Sequence, residues 1–249
     1  MDNKNYPRPE ESIANDWSTI DAMQADQRLS SLRREIYAAI AKYRYTYNFT
    51  WYGRPIIQLP DDIVTIQELI LKVKPDVVVE TGVAHGGSLM LSASMLELLG
   101  GGQVIGVDID IRPANRDAIL AHPLSGRIRL IQGSSVDADV VKRVQSFLAA
   151  DSRVMVFLDS NHTHDHVLRE LDLYSPLVSK GSYLVVFDTG IEDMPADAYP
   201  DRPWGKGNNP KTAVQEFLKR NSRFAVDRDL EARLLWTVAP GGYLICVED

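Results

Sequence analysis

Four apolar runs of this 249-residue chain end in a carboxylate: 77–79 in Glu80, 104–107 in Asp108, 154–158 in Asp159 and 184–187 in Asp188. Short β-branched runs of this kind predict buried strands, and in an open α/β sheet ligands bind beyond the carboxyl ends of the strands. The acids are therefore expected along one rim, together with Gly133-Ser134-Ser135 after a further run at 127–131. Glu80 opens the turn ETGVAHGGS, residues 80–88. Its glycines let backbone approach a ligand, and the helix that follows offers free N–H groups. The turn is neither a G-x-G-x-x-G fingerprint nor a P-loop. Asp108, 28 residues beyond Glu80, is placed to accept hydrogen bonds from both hydroxyls of a ribose. Glu80 would repel a pyrophosphate and suits a ligand carrying an ammonium and a sulfonium. S-adenosylmethionine is thus expected ahead of a dinucleotide. A glycine turn kept only for packing is the alternative.

The second constellation is DSNHTHDH, residues 159–166. Neighbouring parallel strands lie about 4.8 Å apart, so Asp159 and Asp188 can converge on one hard divalent cation, Mg²⁺ first among them. Such an ion lowers the pKa of a coordinated hydroxyl. His162, three residues past Asp159, is then the candidate general base. His164 and His166 are expected to cap or solvate the next helix, and the bland reading of the acids is two solvated loop carboxylates. The 21 residues 189–209 show no helical or strand pattern, which suits a functional loop. Glu192 and Asp193 offer a further metal ligand there. Trp204, Lys206, Asn208 and Asn209 offer a stacking plane and polar donors for a sugar, with a docked surface loop as the alternative.

The elements that must position these residues alternate. Strands are expected at 76–80, 103–108, 127–131, 154–158 and 183–187, with helices at 61–73, 88–99, 113–121, 137–149, 164–174 and from Pro210. Asp61 or Asp62 is the expected cap of the first of these helices. Continuous apolar strands between helices predict an α/β, doubly wound, mostly parallel sheet covered on both faces. Two last runs, 234–238 and 243–247, flank Ala239-Pro240-Gly241-Gly242 and read as a C-terminal antiparallel hairpin, completing the seven strands of a class I methyltransferase-like sheet. Ahead of the domain at 60–249 lies an N-terminal helical arm, 1–59. It comprises a polar stretch over 1–20, a helix over 22–43 and an aromatic connection including Tyr43, Tyr45, Tyr47, Phe49, Trp51 and Tyr52. That connection either packs the arm onto the domain or forms a substrate wall or subunit contact.

Composition narrows the function classes. The chain is 45% hydrophobic and 24% charged, with 27 basic and 34 acidic residues and a net charge of −7. These are globular proportions, and the charge disfavours nucleic-acid binding through a broad basic surface. A single cysteine, Cys246, rules out an internal disulfide and a cysteine-built zinc site. With no signal-peptide core and no membrane-length apolar run, a cytoplasmic protein is expected.

From about Val77 to Val247 the chain resembles the cephalosporin hydroxylase family. The matching stretches are ETGVAHGGS, GVDID, LDSNHTHDHVLREL, LYSPLVSKGSYLVVFDT and NNPKTAVQEFL. It is also similar to metal-dependent macrolide-sugar O-methyltransferases. The resemblance implies a class I methyltransferase fold and contacts to S-adenosylmethionine at Glu80, Gly82, Ser88, Asp108 and Ser134. It further implies a divalent cation on Asp159 and Asp188, His162 as base, a saccharide acceptor, and a homo-oligomer. One departure stands out: the family's fifth strand often ends in two acids, whereas here the pair is Phe187-Asp188. A non-haem iron hydroxylase using Asp159 with two of His162, His164 and His166 is the rival enzyme. A non-catalytic carbohydrate-binding protein on the same fold is the third possibility.

Overall fold

The computed structural model describes residues 17–249; the first part of the expected polar stretch, residues 1–16, lies outside the described residues. The helix expected over 22–43 is two helices, α1 (Trp17–Ala25) and α2 (Gln27–Ala41). Asp26 separates them because its extended backbone and side chain cap α2, accepting from the Leu29 N–H at 3.0 Å. A short antiparallel pair follows, β1 (Phe49–Trp51) and β2 (Arg54–Ile56), leading into α3 (Pro60–Val73).

The main sheet runs β3 (Val77–Thr81), β4 (Gln103–Asp108), β5 (Ile128–Gln132), β6 (Val154–Leu158), β7 (Tyr183–Val186), β8 (Phe224–Val226) and β9 (Tyr243–Cys246). Its seven strands lie in the order β5-β4-β3-β6-β7-β9-β8. β3 to β7 are mutually parallel, while β9 is antiparallel to both neighbours. Between them run α4 (Gly87–Leu98), α5 (Pro113–Leu120), α6 (Ala138–Gln145), α7 (His164–Tyr174), α8 (Pro210–Arg220) and α9 (Arg228–Ala232).

The continuous apolar strands follow from burial on both faces. Val78, Met155, Phe157 and Val185 belong to one core, while Val77, Val79, Val156 and Leu184 belong to the other. The chain leaves β3 toward β4 and β5, then returns to lay β6 on the opposite side. This reversal opens a crevice at the carboxyl ends of β3 and β6.

Two sequence expectations are corrected. The partner of β9 is the three-residue β8, not 234–238. Leu234 and Val238 are buried, but as an irregular segment pinned to α3. That pin is Asp62, which is fully buried and accepts from Thr237 Oγ1, the Val238 N–H at 2.9 Å and Tyr243 Oη at 2.6 Å. Asp62 is therefore not a helix cap. α3 starts on Leu59 and Pro60, whose missing N–H costs nothing in a first turn. No helix among the described residues is long and apolar enough to cross a membrane.

Candidate active site

The turn after β3 is tied to its neighbours before any ligand arrives. Gly82 donates to Val107 O at 2.8 Å, and the Asp159 N–H donates to Thr81 O at 2.9 Å. Gly82 has φ +92°, and a Cβ there would lie 2.0 Å from Asp159 O. Only glycine lets the turn cross the end of β6 this closely. Asp108 then clamps the turn from β4. Its Oδ2 accepts from Val83 N–H at 2.8 Å and Ala84 N–H at 3.2 Å, and its Oδ1 from Asp110 N–H at 2.9 Å. A carboxylate offers about four acceptor sites, so one remains for a ligand where the sequence suggested two ribose hydroxyls. Glu80 is buried behind the turn at 1% exposure, with Ser88 Oγ donating to Oε1 and Oε2 left without a partner. Burial pushes its pKa up to about 8.

Beside this turn lies a cavity of about 650 Å³. Of the residues singled out in the sequence, Gly82, Ser88, Asp159, His162 and Asp188 line it; Glu80, Asp108 and Ser134 do not. Ligand atoms of Asp159, His162 and Asp188 all fall within 4.8 Å of one another. His162 Nε2 is 3.3 Å from Asp188 Oδ2, with the ring packed edge-on to Trp204 at 4.8 Å between centroids. Asp188 holds φ +56°, a left-handed backbone that aspartate adopts more readily than most residues. Burial, then the charge of Asp188, holds the Asp159 carboxyl well above the ordinary range. Tyr37 and Tyr199, also on the cavity, are raised by burial and by the same Asp188.

Neither acid offered as a replacement at position 187 reaches this group. Glu192 Oε2 accepts from Gly207 N–H at 2.8 Å and Asn209 Nδ2 at 2.5 Å, while Asp193 pairs with Lys211 at 2.8 Å. Phe187 itself lies in the core against Phe157, ring centroids 6.1 Å apart. The other histidines serve elsewhere. His164 bonds Thr212 Oγ1 at 2.8 Å and faces Glu216 at 3.3 Å, joining α7 to α8. His166 meets Ser135 at 3.1 Å and Ser160 at 3.2 Å, and Ser160 donates to the buried Glu170 at 2.7 Å. The two-histidine arrangement required by an iron hydroxylase therefore does not form among the described residues.

The aromatic connection divides in role. Trp51 bonds Ser94 Oγ at 2.9 Å and packs on the core, whereas Tyr45 and Tyr47 line the cavity. Several cavity residues were not singled out in the sequence, among them Gln58, Tyr37, Tyr199, Arg44 and Arg202. Gln58, buried before α3, donates to Asp159 Oδ2 at 3.4 Å. Tyr37 comes from the arm.

The sheet order, with a cavity at its carboxyl edge, is that of the class I methyltransferase fold. The chain belongs to the Rhamnosyl O-methyltransferase/CmcI family, whose model matches residues 43–247. It is 29% identical over 192 residues to the rhamnosyl O-methyltransferase of Mycobacterium tuberculosis, covering 74% of this chain and 72% of that one. The Mycobacterium leprae rhamnosyl O-methyltransferase is 28% identical over 202 residues, 79% of this chain and 82% of that one. In fold, the chain matches the apo structure of CmcI-N160 with a TM-score of 0.58 at 19% identity, covering 82% of this chain and 78% of that one. It matches the structure of CmcI-D160 with Mg and SAM with a TM-score of 0.56 at 19% identity, covering 81% and 78%.

Proposed function

We propose that the protein transfers the methyl group of S-adenosylmethionine to a hydroxyl of a sugar or of a glycosylated small molecule. The observation that carries this reading is the convergence of Asp159, His162 and Asp188 beside the glycine turn. The rhamnosyl O-methyltransferases among the relatives support a saccharide acceptor. The sulfonium of S-adenosylmethionine supplies a methyl group that needs no further activation. The chain's own residues then bind, orient and deprotonate. Gly82 and Ser88 border the amino-acid end of the donor, with Glu80 behind them as the partner of its ammonium. Asp108 keeps one acceptor site for the ribose, and Ser134 completes the donor contacts.

The donor set fits a divalent cation. Two carboxylates face each other across a few ångströms, and burial together with the charge of Asp188 holds the Asp159 carboxyl above the ordinary range, as in a pair that lacks a positive partner. Asp159 and Asp188 would hold the ion, which would make a hydroxyl beside it more acidic. His162 takes the hydroxyl proton on Nε2, and Asp188 Oδ2 steadies the imidazolium that results. A second reading makes His162 the third metal ligand, since it lies within the same 4.8 Å group. The same proposal places the enzyme in the cytoplasm as a homo-oligomer, with residues 1–59 as an appendage to the domain at 60–249.

Methyl-labelled S-adenosylmethionine with Mg²⁺ and a panel of rhamnosides tests the activity. Label appearing in a glycoside supports it, and failure to bind S-adenosylhomocysteine at millimolar concentration overturns it. Magnesium titration of His162→Ala separates the two roles of the histidine. A base leaves magnesium affinity intact, whereas a ligand does not.

A further inference from the structure

The cavity wall carries charge of both signs. Its carboxylates, Asp159 and Asp188, stand together at the reacting end. The rest of its wall carries two guanidinium groups, Arg44 from the connection between α2 and β1 and Arg202 from the loop after β7. Neither guanidinium forms an ion pair or hydrogen bond with any described residue. Arg54, by contrast, close to the same turn, donates through Nε and Nη2 to His85 O and Asn115 Oδ1.

Both free groups are pre-oriented. Arg44 lies over the Tyr47 ring at 4.0 Å and Arg202 over the Trp204 ring at 5.2 Å. Stacking restricts the guanidinium plane and leaves its N–H edges for a ligand, so less freedom is lost on binding. The backbone of Arg44 adds a second observation. It holds φ +52°, in a turn closed by Arg44 N–H to Ala41 O at 3.0 Å and Tyr47 N–H to Arg44 O at 2.9 Å. A non-glycine residue in this region is strained, and such strain collects at ligand-binding positions.

We propose that the acceptor carries an oxyanion away from its reacting hydroxyl, and that Arg44 and Arg202 bind it. The planar fork of arginine matches both carboxylate and phosphate. The preferred substrate class is therefore an acidic saccharide or a sugar phosphate, ahead of a neutral glycoside. This rests on the methyl-transfer reading above and adds to it the charge of the acceptor.

Calorimetric titration of the full chain, loaded with S-adenosylhomocysteine and Mg²⁺, tests it with methyl β-glucuronide, methyl β-glucoside and glucose 1-phosphate. A charged probe is expected to bind about tenfold tighter than the neutral one, the scale of a charge-assisted hydrogen bond. The glucuronide and the phosphate separate the two sources of negative charge. Arg44→Gln and Arg202→Gln should each lose about tenfold for the preferred charged probe and nothing for the glucoside. Equal affinity for charged and neutral probes, no binding of either charged probe, or a preference that survives in the double variant overturns the proposal. A tenfold loss of S-adenosylhomocysteine affinity in the variants also overturns it, by assigning the arginines to the donor's carboxylate. Failure of S-adenosylhomocysteine to bind the unaltered protein sinks the methyl-transfer reading itself, so the two failures are distinct.

Discussion

Glu80→Gln is the most informative single change. The carboxyl is 1% exposed, one oxygen has no partner, and burial raises its pKa from 4.5 to about 8. In the free protein at pH 7 it is mostly protonated. On unfolding it returns to the ordinary value, so between about pH 4.5 and 8 the native state holds a proton that the unfolded state has lost. Stability must therefore fall as pH rises through this window, by about 1.4 kcal/mol per pH unit, and level off above pH 8. The full loss is up to about 5 kcal/mol. The glutamine variant, with nothing to ionise, should show a slope smaller by that amount and greater stability than the parent at pH 8.5. Urea unfolding from pH 5 to 8.5 measures both. Ligand binding supplies the second reading. An ammonium beside Glu80 favours the carboxylate, so binding at pH 7 should expel close to one proton. Calorimetry of S-adenosylhomocysteine in buffers of different ionisation enthalpy counts that proton. The variant should release none and bind about ten- to a hundredfold more weakly, the span of a lost charge-assisted hydrogen bond. Identical pH–stability slopes, or proton release that persists in the variant, would refute the reasoning.

Three further outcomes follow from the geometry. His162→Ala should lower turnover about 10²–10⁴-fold, the usual contribution of a general base; steady-state turnover equal to the parent's removes that role. Gly82→Ala forces a Cβ to 2.0 Å from Asp159 O at φ +92°. A loss of about 3 kcal/mol in unfolding free energy, together with loss of S-adenosylhomocysteine binding, is expected, and calorimetric binding at the parent's affinity contradicts it. Asp62→Ala strands two hydroxyls and the Val238 N–H in the core. A thermal scan should report destabilisation of about 3 kcal/mol or more, and an unchanged midpoint would show that the 234–239 segment is held by other contacts.

The sheet was legible because strands buried on both faces must be apolar throughout, and an acid closing such a run marks the edge where the chain returns to water. Val77–Val79 with Glu80 and Val154–Leu158 with Asp159 carry that signal locally. The last strand pair was not legible. Phe224–Val226 has only three residues and gains its place by pairing with β9, while the longer run 234–238 fills the core without joining the sheet. The helix break at Asp26 was missed as well. The apolar spacing begins only at Leu29, and the capping side chain of Asp26 starts α2 just ahead of it.

The site shows the same division. By itself the sequence determined which side chains reach the carboxyl rim, because strand periodicity and chain order dictate where Glu80, Asp108, Asp159 and Asp188 emerge. It also determined that a glycine turn meets them. Only the tertiary structure decided which of these face the cavity and which turn inward. Asp108 spends most of its acceptors on its own turn, Glu80 lies behind Ser88, Glu192 binds its own loop, and Asp193 pairs with Lys211 on α8. Gln58, Tyr37, Arg44 and Arg202 reach the cavity from segments far apart in the chain. Local spacing holds no record of such contacts, since they exist only once the crevice between β3 and β6 has brought distant backbone together.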